Sequence, residues 1–321
     1  MSRTRVVAVA AGLFLLIRGV SWAQFIGTNV SECGTINAPG EYLIGPPLDP
    51  ENPIVDVTHK GGGDCLRIEA SNVTVWFFNG DPTNLVGDGR GTAIHILRSA
   101  HDTHIFTFVG GGVMNFAVGI EDDADSATIK GGFDEPMSML TTRTGVLLNN
   151  VNGTFIANLQ IGCRQRAEGS GCAAQIVPNP APVIGPKTGI FVKGGSGNII
   201  HETSFPTGQG CLSGFGGVIC TIGTGISVAA SSENQISADI YAGTTGIEVS
   251  RSSDFNIISL GHMSSLDTGI SIQRRSSNNT IDSNVVLNSA IVDLIDHNPD
   301  CGTDIWTNNT FTTAEPASCI H

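Results

Sequence analysis

Arg67, His95 and Glu121 fall at matching places in successive copies of one short phrase, and Glu69 and Asp123 follow two residues after the first and the last. Together they supply a cation, an imidazole and three carboxylates, the kit for moving a proton beside an acidic group. In an extended chain alternate residues share a face, and stacked strands lie about 4.8 Å apart. These five side chains are therefore expected on one surface. The chemistry expected there is acid–base catalysis by Arg67, His95 and Glu121, with Glu69 and Asp123 contacting substrate. The competing expectation is a charge-balanced solvent face, where stacked opposite charges contribute little.

Other residues carry narrower chemistry. The acidic run Glu121-Asp122-Asp123-Ala124-Asp125 groups hard oxygens of the kind that hold Ca²⁺, although the spacing fits no EF-hand. Asp122 falls where other copies bury an aliphatic residue, which predicts a local irregularity. His101, Asp102 and His104 are a candidate transition-metal set on a turn. Arg251, Arg274 and Arg275 form a basic patch expected to be a solvated face. Phe191 is the aromatic residue on the outward ladder and a candidate platform for a sugar ring, whereas Trp76 is expected largely inside. No cofactor is expected beyond the Ca²⁺ that the acidic run could take.

The phrase that positions these residues is Thr-Gly followed by aliphatic, variable, aliphatic. It recurs at Thr144-Gly145, Thr188-Gly189, Thr224-Gly225, Thr245-Gly246 and Thr268-Gly269, with looser copies at Thr92-Ala93 and Val118-Gly119. Steps of 26, 26, 44, 36, 21 and 23 residues separate the second positions. A repeat of this period means stacked strand-and-turn units. The aliphatics fill the interior, and the residue between them points out. That outward ladder reads Arg67, His95, Glu121, Leu147, Phe191, Ser227, Glu248, Ser271. A second strand begins with asparagine in the later copies, at Asn198, Asn234, Asn256 and Asn279. Asparagine tolerates left-handed backbone, and stacked amides can bond along the axis.

Residues 1–23 read as a secretory signal: Arg3 and Arg5, an apolar run from Val6 to Ile17, then Ser21 and Ala23 before Gln24. Its removal takes Arg3, Arg5 and Arg18 and no acid, so the net charge of −13 becomes about −16. Such a surface repels nucleic acid and anionic membranes. It also disfavours polyuronates unless a divalent cation bridges them. The mature chain is expected to be soluble, either secreted or periplasmic. All eight cysteines lie beyond the signal, as expected of disulfides in an exported chain. Their positions suggest neighbour pairs: Cys33/Cys65, Cys163/Cys172, Cys211/Cys220 and Cys301/Cys319. The two inner pairs bracket excursions that account for the long steps.

Irregular periods of 21 residues or more argue against a hexapeptide helix, and no alternation of strands and helices supports a βαβ fold. Over residues 60–295 the chain resembles the right-handed parallel β-helix proteins of the pectate-lyase-like superfamily. Cys33-Gly34-Thr35-Ile36 through Tyr42-Leu43 resembles the lead-in of that family. Cys301-Gly302-Thr303 with Trp306, Asn308 and Cys319 resembles a cap of its bacterial members. The resemblance implies an all-β solenoid of about nine coils with disulfide-stapled ends and loops. It implies a cap over 24–63, coils over 64–298 and a second cap over 299–321. Polysaccharide is the partner it implies, bound along a sheet face. It does not choose between a lyase, a hydrolase and a non-catalytic extracellular or envelope β-helix, because the superfamily contains all three. The motifs that would choose are missing: no Asp-Pro-His, no Gly-x-Ser-x-Gly, and Gly261-His262-Met263 in place of Gly-His-Gly.

Overall fold

Glycine in the repeated phrase is explained by close contact between strands. A Cβ added at Gly145 would sit 2.6 Å from the carbonyl oxygen of Gly189, and one at Gly189 would sit 2.5 Å from that of Gly225. The same clash recurs from Gly225 to Gly246 and from Gly246 to Gly269, at 2.7 and 2.6 Å. Each glycine thus makes room for the next copy. The computed structural model describes residues 27–44, 57–78, 84–109, 111–132, 136–162, 164–167, 174–177, 185–202, 206–207, 211–212 and 218–321. The proposed signal peptide and its cleavage site lie outside them.

The chain is all-β, and among the described residues the one helical element is the 3₁₀ turn Pro299–Cys301. Strands stack in parallel into three ladders. The first carries the repeated phrase and runs through Asp64–Ile68, Thr92–Ile96, Val118–Asp122, Thr144–Asn152, Thr188–Ser196 and Thr224–Ala229. It continues through the later parts of Gln235–Ser250 and His262–Ile272 to Val292–Asp296. The second includes Val73–Phe78, His104–Val109, Thr128–Lys130, Phe155–Ala157, Ile199–Glu202, Ile257–Ser259 and Thr280–Asp282. The third is made of short strands such as Asn84–Val86, Gly112–Met114, Met137–Leu140 and Leu159–Ile161. Two strands per repeat were expected, so this ladder is an addition.

One continuous apolar core lies between the ladders. Ile94, Ile96, Ile120, Val146, Leu148, Ile190 and Val192 are fully buried from the first ladder, Ile105, Ile129 and Ile156 from the second, and Leu85, Met139 and Ile161 from the third. The excursions between repeats form separate antiparallel hairpins, Arg164–Ala167 with Ala174–Val177 and Pro206–Thr207 with Cys211–Leu212. Cys33–Cys65 and Cys301–Cys319 are bonded as the spacing suggested. Cys220 is also disulfide-bonded; Cys163 and Cys172 lie outside the described residues. Disulfides persist in oxidising compartments. No helix of the described residues is long and apolar enough to cross a membrane.

The asparagine ladder forms in the turn that leads into the second-ladder strands. Asn198 Nδ2 donates to Asn234 Oδ1 at 2.9 Å, Asn234 to Asn256 at 2.7 Å, and Asn256 to Asn279 at 3.0 Å. Asp304 ends the chain by accepting from Asn279 Nδ2 at 2.9 Å. One expectation is corrected here. The left-handed residues are those preceding each amide: Gly197, Glu233, Phe255 and Asn278. The ladder asparagines are selected for their side chains, which also bond buried backbone.

Candidate functional site

The first ladder carries the outward row in the expected register. Arg67 pairs with His95, His95 with Glu121, Glu121 with Leu147, Leu147 with Phe191, Phe191 with Ser227, and Ser227 with Glu248. Ser271 follows, although it is buried at 4% exposure. The N-terminal rungs therefore do gather charged groups on one face, but their partnerships differ from those expected.

His95 is clamped. Its Nδ1 lies 2.8 Å from Asp64 Oδ2 and its Nε2 3.1 Å from Asp123 Oδ2. A ring nitrogen meets an ionised carboxylate by donating a proton, so the two contacts together suit the doubly protonated imidazolium. Burial by itself would lower the pKa of His95; the hydrogen bonds to Asp64 and Asp123 and the charges of Asp64 and Glu121 outweigh it and raise the value. Glu121 completes the group: one atom each of His95, Glu121 and Asp123 lie within 4.8 Å of one another. Asn149 Nδ2 donates to Asp123 Oδ1 at 2.8 Å, and Thr92 Oγ1 to Glu121 Oε2 at 3.4 Å.

Arg67 stands apart from that group. Its Nε donates to Glu69 Oε1 at 2.9 Å, and both side chains are exposed. The structure thus brings together His95, Glu121 and Asp123, and replaces the expected Arg67 by Asp64. In register Asp64 takes the threonine place of the repeat, opposite Thr92. That departure from the phrase was the available sign.

The acidic run does not act as a unit. Asp122 keeps the register of the aliphatic position, opposite Ile96 and Leu148, and is fully buried. The predicted irregularity is therefore absent. Its carboxylate is held by Thr154 Oγ1 at 2.8 Å and by the Ala124 amide at 3.0 Å, and burial pushes it up to about 7. Asp125 accepts from the backbone and side chain of Asn152. The other metal candidate also separates. His104 stacks against Phe106 on the second ladder, while His101 borders a cavity of about 330 Å³ with Arg98, Asp123, Asp125 and Asn150.

Phe191 lies three rungs from His95, about 14 Å at the spacing of paired strands. It opens onto a trough of about 870 Å³ whose other walls include Glu248, Gln273, Arg251, Arg274 and Arg275. The basic patch expected to be plain surface thus lines a concavity. Trp306 is buried and donates to Asp296, and Trp76 is half-buried against Phe106 rather than inside the core. No protein-family model matches the chain, and no curated protein matches its sequence.

Proposed function

We propose that the chain is an exported, right-handed parallel β-helix that binds a glycan along its first ladder and cleaves it, as a hydrolase or lyase, at the His95 cluster. Three parallel ladders visited in rotation support the winding, and crossovers between parallel strands are right-handed in about 98% of cases. One observation carries the functional reading: a single outward row joins a trough lined by an aromatic ring and three arginines to a clamped imidazole beside carboxylates. Phe191 offers a face for a sugar ring, and Arg251, Arg274, Arg275 and Gln273 offer donors to its oxygens. His95, as an imidazolium, is the proton donor to a leaving oxygen, and Glu121 is the base.

The test is a panel of neutral and acidic polysaccharides, with and without Ca²⁺, followed by reducing ends and by the ultraviolet absorbance of unsaturated uronides. Hydrolysis releases reducing ends alone, and β-elimination adds the absorbance. His95→Ala should abolish turnover with the fold retained; undiminished turnover in that variant removes His95 from the reaction.

A second reading is a non-catalytic extracellular or envelope β-helix. The clamp itself favours it, because both nitrogens of His95 are engaged, as in a structural ion cluster. A glycan retained on the protein but never cleaved, across a broad panel, decides for this reading.

A further inference from the structure

The His95 cluster has a property that proton donation does not use. Each of three side chains is held by a different neighbour, and one ligand atom of each lies within 4.8 Å of the others. Asp64 holds His95 through Nδ1, Asn149 holds Asp123 through Oδ1, and Thr92 holds Glu121 through Oε2. That leaves His95 Nε2, Asp123 Oδ2 and one oxygen of Glu121 within reach of one shared partner. A carboxylate behind a histidine is the arrangement that orients a metal-binding imidazole and raises its basicity.

Strand pairing explains why these atoms converge. His95 and Glu121 are directly opposed on adjacent parallel strands, and Asp123 follows Glu121 on the same face. The charge is unbalanced: three carboxylates surround one imidazole, and among the described residues no Lys or Arg is ion-paired with Asp64, Glu121 or Asp123. The side chains of His95, Asp64 and Asp123 are 17%, 25% and 23% exposed, so an ion would be partly shielded yet reachable. A cavity of about 330 Å³ adjoins Asp123, so solvent reaches this side of the cluster.

We propose that His95, Glu121 and Asp123 bind one divalent first-row transition-metal ion, of the class of Zn²⁺, through Nε2 and one oxygen of each carboxylate. An imidazole with two carboxylates suits such ions, whereas Ca²⁺ takes an all-oxygen shell of six to eight ligands. Three protein ligands with an open position is the pattern of reactive rather than purely structural sites. The bound ion takes the place of the proton between His95 and Asp123, so a loaded His95 is a ligand and not an acid. This inference goes beyond the glycan reading, in which only the metal-free His95 is the acid, and is tested without any activity.

The full exported chain, stripped with a chelator, is titrated with Zn²⁺ by calorimetry, with Ca²⁺ as the comparison ion. The expected result is one Zn²⁺ per chain. His95→Ala should abolish this binding. Asp64→Asn, which keeps the size of the side chain, should weaken it about 10- to 100-fold. Glu121→Gln should weaken it as well, and His101→Ala should leave it unchanged. Circular dichroism shows whether each variant is folded; should His95→Ala fail to fold, the Asp64→Asn and Glu121→Gln shifts carry the test. Zn²⁺ binding equal in the wild type and all folded variants would mean ions gathering on an acidic surface and would overturn the proposal. Absence of stoichiometric binding by the wild type would do the same.

Discussion

The His95 cluster and the asparagine ladder are both polar constructions built on the stacked repeats, and they end in opposite states. In the ladder one residue type is repeated, so each amide finds its complement on the next rung. Asn198, Asn234, Asn256 and Asn279 are all completely buried and all bonded. In the cluster every rung differs, Asp64 then His95 then Glu121, so complementarity is partial and negative charge is left over. Repetition closes a network; variation leaves one open to a ligand.

The sharpest way to break the contrast is to remove one member from each. Asn256→Ala strands the backbone and side-chain donors of Asn234 and leaves the Asn279 oxygen without its side-chain donor. With buried orphans at about 1–3 kcal/mol each, the loss should be on the order of 4 kcal/mol in denaturant unfolding. His95→Ala removes partners from carboxylates that are about a quarter exposed and still reach water, and should cost about 1 kcal/mol. Equal costs would mean that the two networks do not differ in kind.

The next effect concerns the staples beside each network. Cys65 adjoins Asp64, and Cys301 lies just before Asp304. The bonds close spans of 32 and 18 residues, worth about 4 and 3 kcal/mol by the loop-entropy model. Reduction should loosen both ends and expose unpaired strand edges. Size-exclusion chromatography should then show aggregates, and a reduced protein that stays monomeric would contradict this.

The pH profile separates the networks more gently. Asp304, where the ladder ends, is pushed up by burial to about 6, against the hydrogen bonds from Asn279. Asp122 is raised to about 7, and His95 is raised as well. All three pKa values are higher in the folded chain, so their contribution is complete below the unfolded values and is lost as pH rises through the folded ones. Tm should therefore fall from about pH 4 toward pH 8. Asp304→Asn should flatten the part between about pH 4 and 6, leaving the part due to Asp122 and His95. A Tm that climbs over this range would show that other carboxylates dominate.

The two networks were unequally legible in the sequence. The ladder could be read because an identical residue at a fixed place in each copy becomes a column once copies stack. Even so, asparagine's tolerance of left-handed backbone points to the wrong residue, because Glu233 and Phe255 make that turn. The outward row was legible through Phe191 for the same reason, but not its pairings. Arg67 turns to Glu69 on its own strand side, and Asp64 is hard to read because its copy has Cys65 where most others have glycine. The third ladder left little trace, since strands as short as Val57–Thr58 carry too few residues for a period to show. Asp122 looked like a break in the pattern because a carboxylate is a poor guest in a core; Thr154, 32 residues away, supplies the bond that admits it.

The asparagine ladder also bears on how this chain can change length. Its rungs at Asn234, Asn256 and Asn279 stand 22 and 23 residues apart, and each presents the same donor forward and the same acceptor back. Excising or copying one such segment would rejoin like to like. In that half, growth or shrinkage by whole units would preserve the amide ladder. The half bearing Asp64, His95 and Glu121 has no interchangeable rung, so its size is tied to its chemistry.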